Sequence, residues 1–301
     1  MLYYHPIYSE LNLPEKHRFP ISKYKKLYQR INASKFAKFI KEPEQKITAD
    51  ALQLCHDSNY VDAFLNGTLS EKVIKKMGFP WSEQLVQRTL ISLGGGLAAA
   101  QYALEYGFGA NLSGGYHHAH RDFGSGFCIF NDWAVVAATL IAHQRVERVL
   151  IFDCDVHQGD GTATIVADRD DIITCSIHCE SNFPRVKPQS DLDFALAVNT
   201  QDAQYVATVR EALQLAVRLY QPDIILYNAG ADVYQGDELG HFSVSKQGVR
   251  ARDSIVFEYA HHLNIPLAFA LGGGYQRDVD HLVDIHQQTF LALFDNPAIM
   301  I

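Results

Sequence analysis

The sequence predicts an α/β fold: a single domain of three layers, α/β/α, around a mostly parallel central sheet. Two patterns predict it. Short apolar runs that read as buried strands alternate with longer segments of helical periodicity, and the long loops follow the strands. No linker, repeat or low-complexity segment divides the chain, so residues 1–301 are expected to form one domain. Hydrophobic residues make up 48%, enough for a sizeable core.

The elements follow in order. A short strand-like piece opens the chain. Ser22 is placed to cap a helix through Tyr24, Leu27, Ile31 and Phe36, an apolar stripe at helical spacing. Ser58 is the expected N-cap of a helix over 59–65, ended by Gly67. Ser82 starts a long helix through Leu85, Leu90 and Leu97. The run Gly94-Gly-Gly96 inside it predicts close backbone packing or a break, not a phosphate loop, because no strand leads into it. Strands are expected at 110–113, 149–152, 172–177, 223–228 and 265–271. Helices are expected from Asp132 through Ala142 and at 161–167, 202–219, 245–261 and 277–294. Residues 178–200 read as a polar loop, too long for a simple connection.

The totals exclude several function classes. The net charge is −8 with no Lys/Arg block, so direct nucleic-acid binding is not expected. No apolar run approaches a membrane span, and the first residues lack the basic and apolar regions of a signal peptide. Five cysteines, an odd number without a C-x-x-C pair, read as reduced thiols of a cytoplasmic protein.

Chemistry concentrates in the stretch from Arg148 to Gly161. The apolar run Val149–Phe152 reads as a buried strand, and Asp153, Asp155, His157 and Asp160 follow it. On a regular strand, Asp153 and Asp155 would share a face and His157 would continue the spacing. A carboxylate and an imidazole side by side can bind one divalent cation, and zinc accepts such N/O sets. An acidic loop at a strand end, solvated or capping a helix, is the plainer alternative. A catalytic zinc needs a third protein ligand. Asp232, after a buried strand and small residues, is the candidate, with a helix cap or turn residue as the alternative. In a parallel sheet, strand-end loops lie along one edge, so distant residues can converge there. Two adjacent histidines, His117 and His118, suit proton transfer, and each would need a carboxylate behind it. Asp153 and Asp160 are available. Tyr275 follows three glycines, where a phenol could stabilise an oxyanion or merely occupy a turn.

Assembled, these residues resemble the histone deacetylase / acetylpolyamine amidohydrolase superfamily, which has an arginase-like fold. The resemblance covers nearly the whole chain. It rests on Gly114-Gly-Tyr-His-His118, Gly126-Phe-Cys-Ile-Phe-Asn-Asp132, Asp153-Cys-Asp-Val-His-Gln-Gly-Asp160, Ser176-Ile-His178, Tyr227-Asn-Ala-Gly-Ala-Asp232 and Gly272-Gly-Gly-Tyr275. With Tyr4-His-Pro-Ile-Tyr8 and His17-Arg-Phe-Pro20, it looks most like the class IV branch and its bacterial relatives. The resemblance implies Zn²⁺ (or Fe²⁺) on Asp155, His157 and Asp232. It places Asp153 behind His117, Asp160 behind His118, and Tyr275 at the substrate carbonyl. It also implies a structural K⁺ at Asp153, Asp155, His157, Ser176 and Ile177. Gly126, Phe127, Phe183 and Leu239 would line the substrate channel with Tyr275, and Arg18 would face an inner pocket collecting carboxylate. The implied activity is removal of an acyl group from lysine in a protein or peptide. The implied alternatives are an acetylpolyamine amidohydrolase, which would want an acidic residue near Leu239, and a catalytically dead acyl-lysine binder. A two-metal ureohydrolase fits less well, because Ala231-Asp232-Val233 lacks a second aspartate.

Overall fold

A computed structural model of the chain describes residues 1–296 and 299. The expected domain 1–301 also includes residues 297, 298, 300 and 301, which lie outside the described residues.

The strands are β1 (Leu2–Tyr3), β2 (Ile40–Lys41), β3 (Phe108–Asn111), β4 (Val149–Asp153), β5 (Ile172–Cys179), β6 (Leu192–Leu196), β7 (Ile224–Asn228) and β8 (Leu267–Ala270). They form one 8-stranded sheet in the order β2-β1-β3-β8-β7-β4-β5-β6. Every pairing between these strands is parallel. The residues of β4, β5, β7 and β8 are buried throughout. That is why they read as continuous apolar runs: a parallel sheet is covered on both faces.

The helices are α1 (Lys23–Asn32), α2 (Ala49–Gln53), α3 (Ser58–Leu65), α4 (Glu71–Met77), α5 (Glu83–Tyr106), α6 (Asp132–Ala142), α7 (Asp160–Ile165), α8 (Asp202–Tyr220), α9 (Lys246–His262) and α10 (Val279–Phe294). Helices α5 and α6 pack together on one side of the sheet; α8, α9, α10 and α1 form a second packed row. The three expected layers are present.

Helix α5 runs unbroken through its three glycines, so close packing is the outcome there. A Cβ on Gly94 would lie 2.1 Å from the Gln45 carbonyl oxygen, and one on Gly95 2.3 Å from the Tyr8 hydroxyl. Ser82 caps this helix, accepting from the Leu85 amide at 3.1 Å. The cap of α3 is Asp57, not Ser58: its carboxylate accepts from the Asn59 and Tyr60 amides. Ser22 makes no side-chain cap bond, and α1 ends before Phe36. The polar segment 178–200 contains β6, an edge strand whose burial alternates because only one face meets the core.

Candidate active site

The carboxyl ends of β3, β4, β5, β7 and β8 open on one edge of the sheet, and the polar residues collect there. Register sets the first layer. Asp153, the last residue of β4, lies opposite Ser176 on β5 and Asn228 on β7. The strand stops at Asp153, so Asp155 and His157 are not placed by strand alternation. Two tight turns place them: the Asp155 amide donates to Asp153 Oδ1 at 3.0 Å, and the His157 amide to Asp155 Oδ1 at 2.9 Å. Asp232 reaches in from the loop after β7 and accepts from the Val156 amide at 3.0 Å.

The ligand atoms of Asp155, His157 and Asp232 all lie within 4.8 Å of one another, and the three residues are buried. His157 Nδ1 is 3.0 Å from Asp155 Oδ1 and 3.2 Å from Asp232 Oδ2. Tetrahedral zinc with N/O bonds near 2.0 Å separates its ligand atoms by about 3.3 Å, so the donor set and spacing fit a single divalent cation. Burial opposes charge on His157, but its bonds to Asp155 and Asp232 hold its pKa well above the usual value. Burial and the neighbouring Asp155 charge raise that of Asp232.

Beside this group, the rings of His117 and His118 stand 4.0 Å apart. His117 Nδ1 is 2.6 Å from Asp153 Oδ2, and His118 Nδ1 is 2.6 Å from Asp160 Oδ1. The two imidazoles are tuned apart. Burial lowers both, but Asp153 and Asp155 outweigh it at His117 and raise that pKa to about 9. At His118, burial and the charge on His117 win over Asp160, and the pKa falls to about 4. A cation among Asp155, His157 and Asp232 would offset the carboxylate field that charges His117.

Tyr275 lies across the site, its ring 6.5 Å from that of His157 and 5.9 Å from that of Phe127. Burial, reinforced by the Asp155 and Asp232 charges, holds the phenol well above its usual pKa, so it remains a proton donor. Gly126 packs against the His118 ring. Phe183 is exposed, with its ring 4.9 Å from that of His118. Leu239 and Tyr275 line a cleft of about 510 Å³ with Arg18, Glu238 and Arg277. Arg18 is thus an exposed rim residue, not the floor of an inner pocket. Ser176 and Ile177 are buried in β5.

Several residues were not singled out from the sequence. Lys23 is buried and donates to the Gly273 carbonyl, in the turn before Tyr275. Burial lowers its pKa to about 8, against the pull of Asp232, Asp237 and Asp155. Asp237 accepts from the Tyr275 amide at 2.7 Å, and Asn228 donates to Asp153 at 2.9 Å. Arg252, wholly buried in α9, donates to the carbonyls of Cys154 and Gly230, in the loops that carry Asp155 and Asp232.

Residues 17–290 match the histone deacetylase domain. The chain belongs to the histone deacetylase family. Its relatives include an uncharacterized protein of Picosynechococcus, 39% identical over 97% of both chains. Histone deacetylase 2 of Arabidopsis thaliana is 30% identical, over 89% of this chain and 72% of that one. The acetoin utilization protein AcuC of Staphylococcus aureus is 29% identical, over 85% and 72% respectively. Among solved structures, the acetylpolyamine aminohydrolase of Burkholderia pseudomallei shares the fold with a TM-score of 0.78 at 21% identity, over 97% of both chains. The HDA15 HD domain does so with a TM-score of 0.78 at 19% identity, over 96% of this chain and 89% of that one. Membership of the histone deacetylase family makes the protein a hydrolase of N-acyl amides. Among the described residues, no helix is long and apolar enough to cross a membrane.

Proposed function

We propose that this family member is a zinc-dependent deacylase that removes an acyl group, acetyl or longer, from the ε-amine of lysine in proteins or peptides. The observation that carries this reading is the convergence of Asp155, His157 and Asp232 with two carboxylate-backed histidines and Tyr275 on one sheet edge.

Asp155, His157 and Asp232 would hold Zn²⁺, or Fe²⁺ in its place. When bound, the cation supplies Lewis acidity toward the acyl carbonyl and acidifies water. Tyr275, protonated by burial, donates to the carbonyl oxygen as negative charge develops on it. The Nδ1 atoms of His117 and His118 are committed to Asp153 and Asp160, which leaves each Nε2 to exchange protons. One imidazole accepts the proton of the attacking water as the C–O bond forms. One gives a proton to the lysine nitrogen as the C–N bond breaks, releasing carboxylate and amine. Gly126, Phe127, Phe183 and Leu239 would line the path of the acyl-lysine. A structural K⁺ would use Asp153, Ser176 and oxygens of Asp155, His157 and Ile177, and would add positive potential behind Asp153. The whole chain, 1–301, would serve as one catalytic domain of class IV type in the cytoplasm, where its cysteines stay reduced.

Acetylpolyamine hydrolysis is the second reading, because Glu238 lies beside Leu239 in the cleft. Arg277 stands 3.0 Å from Glu238 at the exposed rim of the cleft. The test is a panel of acyl-lysine peptides from acetyl to myristoyl, with acetylated polyamines, on zinc-loaded protein. Turnover of lysine derivatives that is lost in Asp155→Ala supports the proposal. Turnover of polyamines alone, or none with zinc verified, refutes it.

A further inference from the structure

Lys23 is a buried ammonium with no role in the chemistry above. It opens α1 at 3% exposure. Its Nζ stands 5.6 Å from the Phe19 ring centroid, 5.3 Å from that of Tyr24 and 6.0 Å from that of Tyr275. Burial of an ammonium is costly unless it is well compensated, and an aliphatic side chain would fill the same volume without that cost. Among the described residues, no carboxylate forms an ion pair with Nζ; its hydrogen bond goes to the Gly273 carbonyl.

That carbonyl lies in the middle of the turn that delivers Tyr275. Gly273 and Gly274 have φ values of +56° and +86°, and consecutive glycines have the widest conformational freedom of any residues. The turn therefore needs outside anchors. Asp237 supplies one, accepting the Tyr275 amide at 2.7 Å. Lys23 supplies the other, one residue on the far side of Gly274. At the Lys23 anchor, Gly273 also packs on Asp232, since a Cβ there would lie 2.2 Å from Oδ2. A shift of this turn moves the Tyr275 phenol relative to the carboxylate it packs on.

We infer that Lys23 is a positioning residue for the reaction: it pins the Gly272–Gly274 turn through the Gly273 carbonyl and so fixes the Tyr275 phenol. The inference rests on the reading of Tyr275 as the carbonyl-polarising group. A misplacement near 1 Å at a reacting group lowers turnover about 100-fold. The experiment is a cycle of Lys23→Met, Tyr275→Phe and the double variant, with kcat, KM, zinc stoichiometry and thermal midpoint measured for each.

Lys23→Met is expected to bind zinc as the parent does, to keep KM, and to lose at least about tenfold in kcat. The double variant is expected to be no slower than Tyr275→Phe, because Lys23 acts only through the phenol. Parental kcat in Lys23→Met, or losses that multiply in the double variant, overturns the inference. Parental kcat in Tyr275→Phe overturns the functional reading instead. If Lys23→Met fails to fold, Lys23→Arg and amide exchange at residues 272–276 decide. Faster exchange with reduced kcat and unchanged KM supports the role, and unchanged exchange overturns it.

Discussion

His56 ties the histidine loop to the start of α6, and its titration is expected to show in the stability of the protein. It is 2% exposed. Its Nε2 accepts from the Asn131 amide at 3.0 Å, which puts the ring proton on Nδ1, donating to the His120 carbonyl at 3.0 Å. Asn131 in turn caps α6, accepting from the Ala134 amide at 3.1 Å. The ring thus joins the loop of His117 and His118 to the start of α6, and it does so only when neutral. Burial first, then the nearby Arg121 charge, lowers its pKa from 6.5 to about 4, against the backbone hydrogen bonds.

The sign follows from which state binds protons. Below pH 6.5 the unfolded chain takes up a proton that the folded chain refuses until about pH 4. The contribution is therefore fully present above 6.5 and declines as pH falls through that window, by about 2 kcal/mol at pH 5 and about 3 kcal/mol in full. The assay is urea unfolding with a chelator present, at pH 7.5 and pH 5, on the parent and on His56→Gln, whose amide can accept and donate without titrating. The parent is expected to lose about 2 kcal/mol more than the variant between the two pH values. Parallel losses would refute the argument that His56 folds as a neutral bridge.

Tyr275→Phe is expected to lower kcat about 100- to 1,000-fold while zinc stoichiometry stays at the parental value, read by single-turnover kinetics and metal analysis. Gly273→Ala is expected to weaken zinc binding about tenfold or more in a chelator competition. Its Cβ would press on the Asp232 carboxylate from a backbone at φ +56°. Arg252→Met removes the counter-ion of the buried Asp253 carboxylate, its partner at 2.7 Å, leaving that charge to the Tyr227 hydroxyl, and is expected to cost about 3–5 kcal/mol in urea unfolding. Adding Asp253→Leu should recover much of that loss.

The fold was legible wherever burial is two-sided. Strands such as β4 and β7 announce themselves as apolar runs, and the polar residues after them mark the sheet edge. Strand β6 was hidden because it is an edge: Leu192, Phe194 and Leu196 alternate with polar or small neighbours inside a segment rich in turn residues. The spacing of Asp153, Asp155 and His157 drew notice as a strand pattern, yet side-chain-to-backbone turns bring the last two inward. Lys23 and Arg252 do carry a signal in the sequence. Four residues back from Leu27 along the buried stripe of α1 is Lys23, and Arg252 falls between Val249 and Val256 on the buried face of α9. A charge at a core-facing position of a helical stripe points to a buried partner worth finding.

The carboxylates of the site are one residue type in different employments, and whether their proton donors are shared separates them. Asp153 has His117 at 2.6 Å, Asn228 at 2.9 Å and the Asp155 amide at 3.0 Å. Asp160 has His118 at 2.6 Å and His120 at 3.3 Å. Asp237 accepts three backbone amides, those of Tyr275, Leu239 and Gly240. These three are anchored, so each can orient a neighbour. Asp155 and Asp232 instead share His157 Nδ1, with one backbone amide apiece, and His117 Nε2 stands 3.7 Å from Asp155. Two buried carboxylates that share one imidazole nitrogen are electrostatically under-compensated, and a divalent cation would remove the deficit at the point where the His157 ring also offers a nitrogen. The same accounting explains why the anchored aspartates back histidines or turns. Each is anchored to its own histidine or turn, and a cation drawn to this edge finds the paired carboxylates of Asp155 and Asp232.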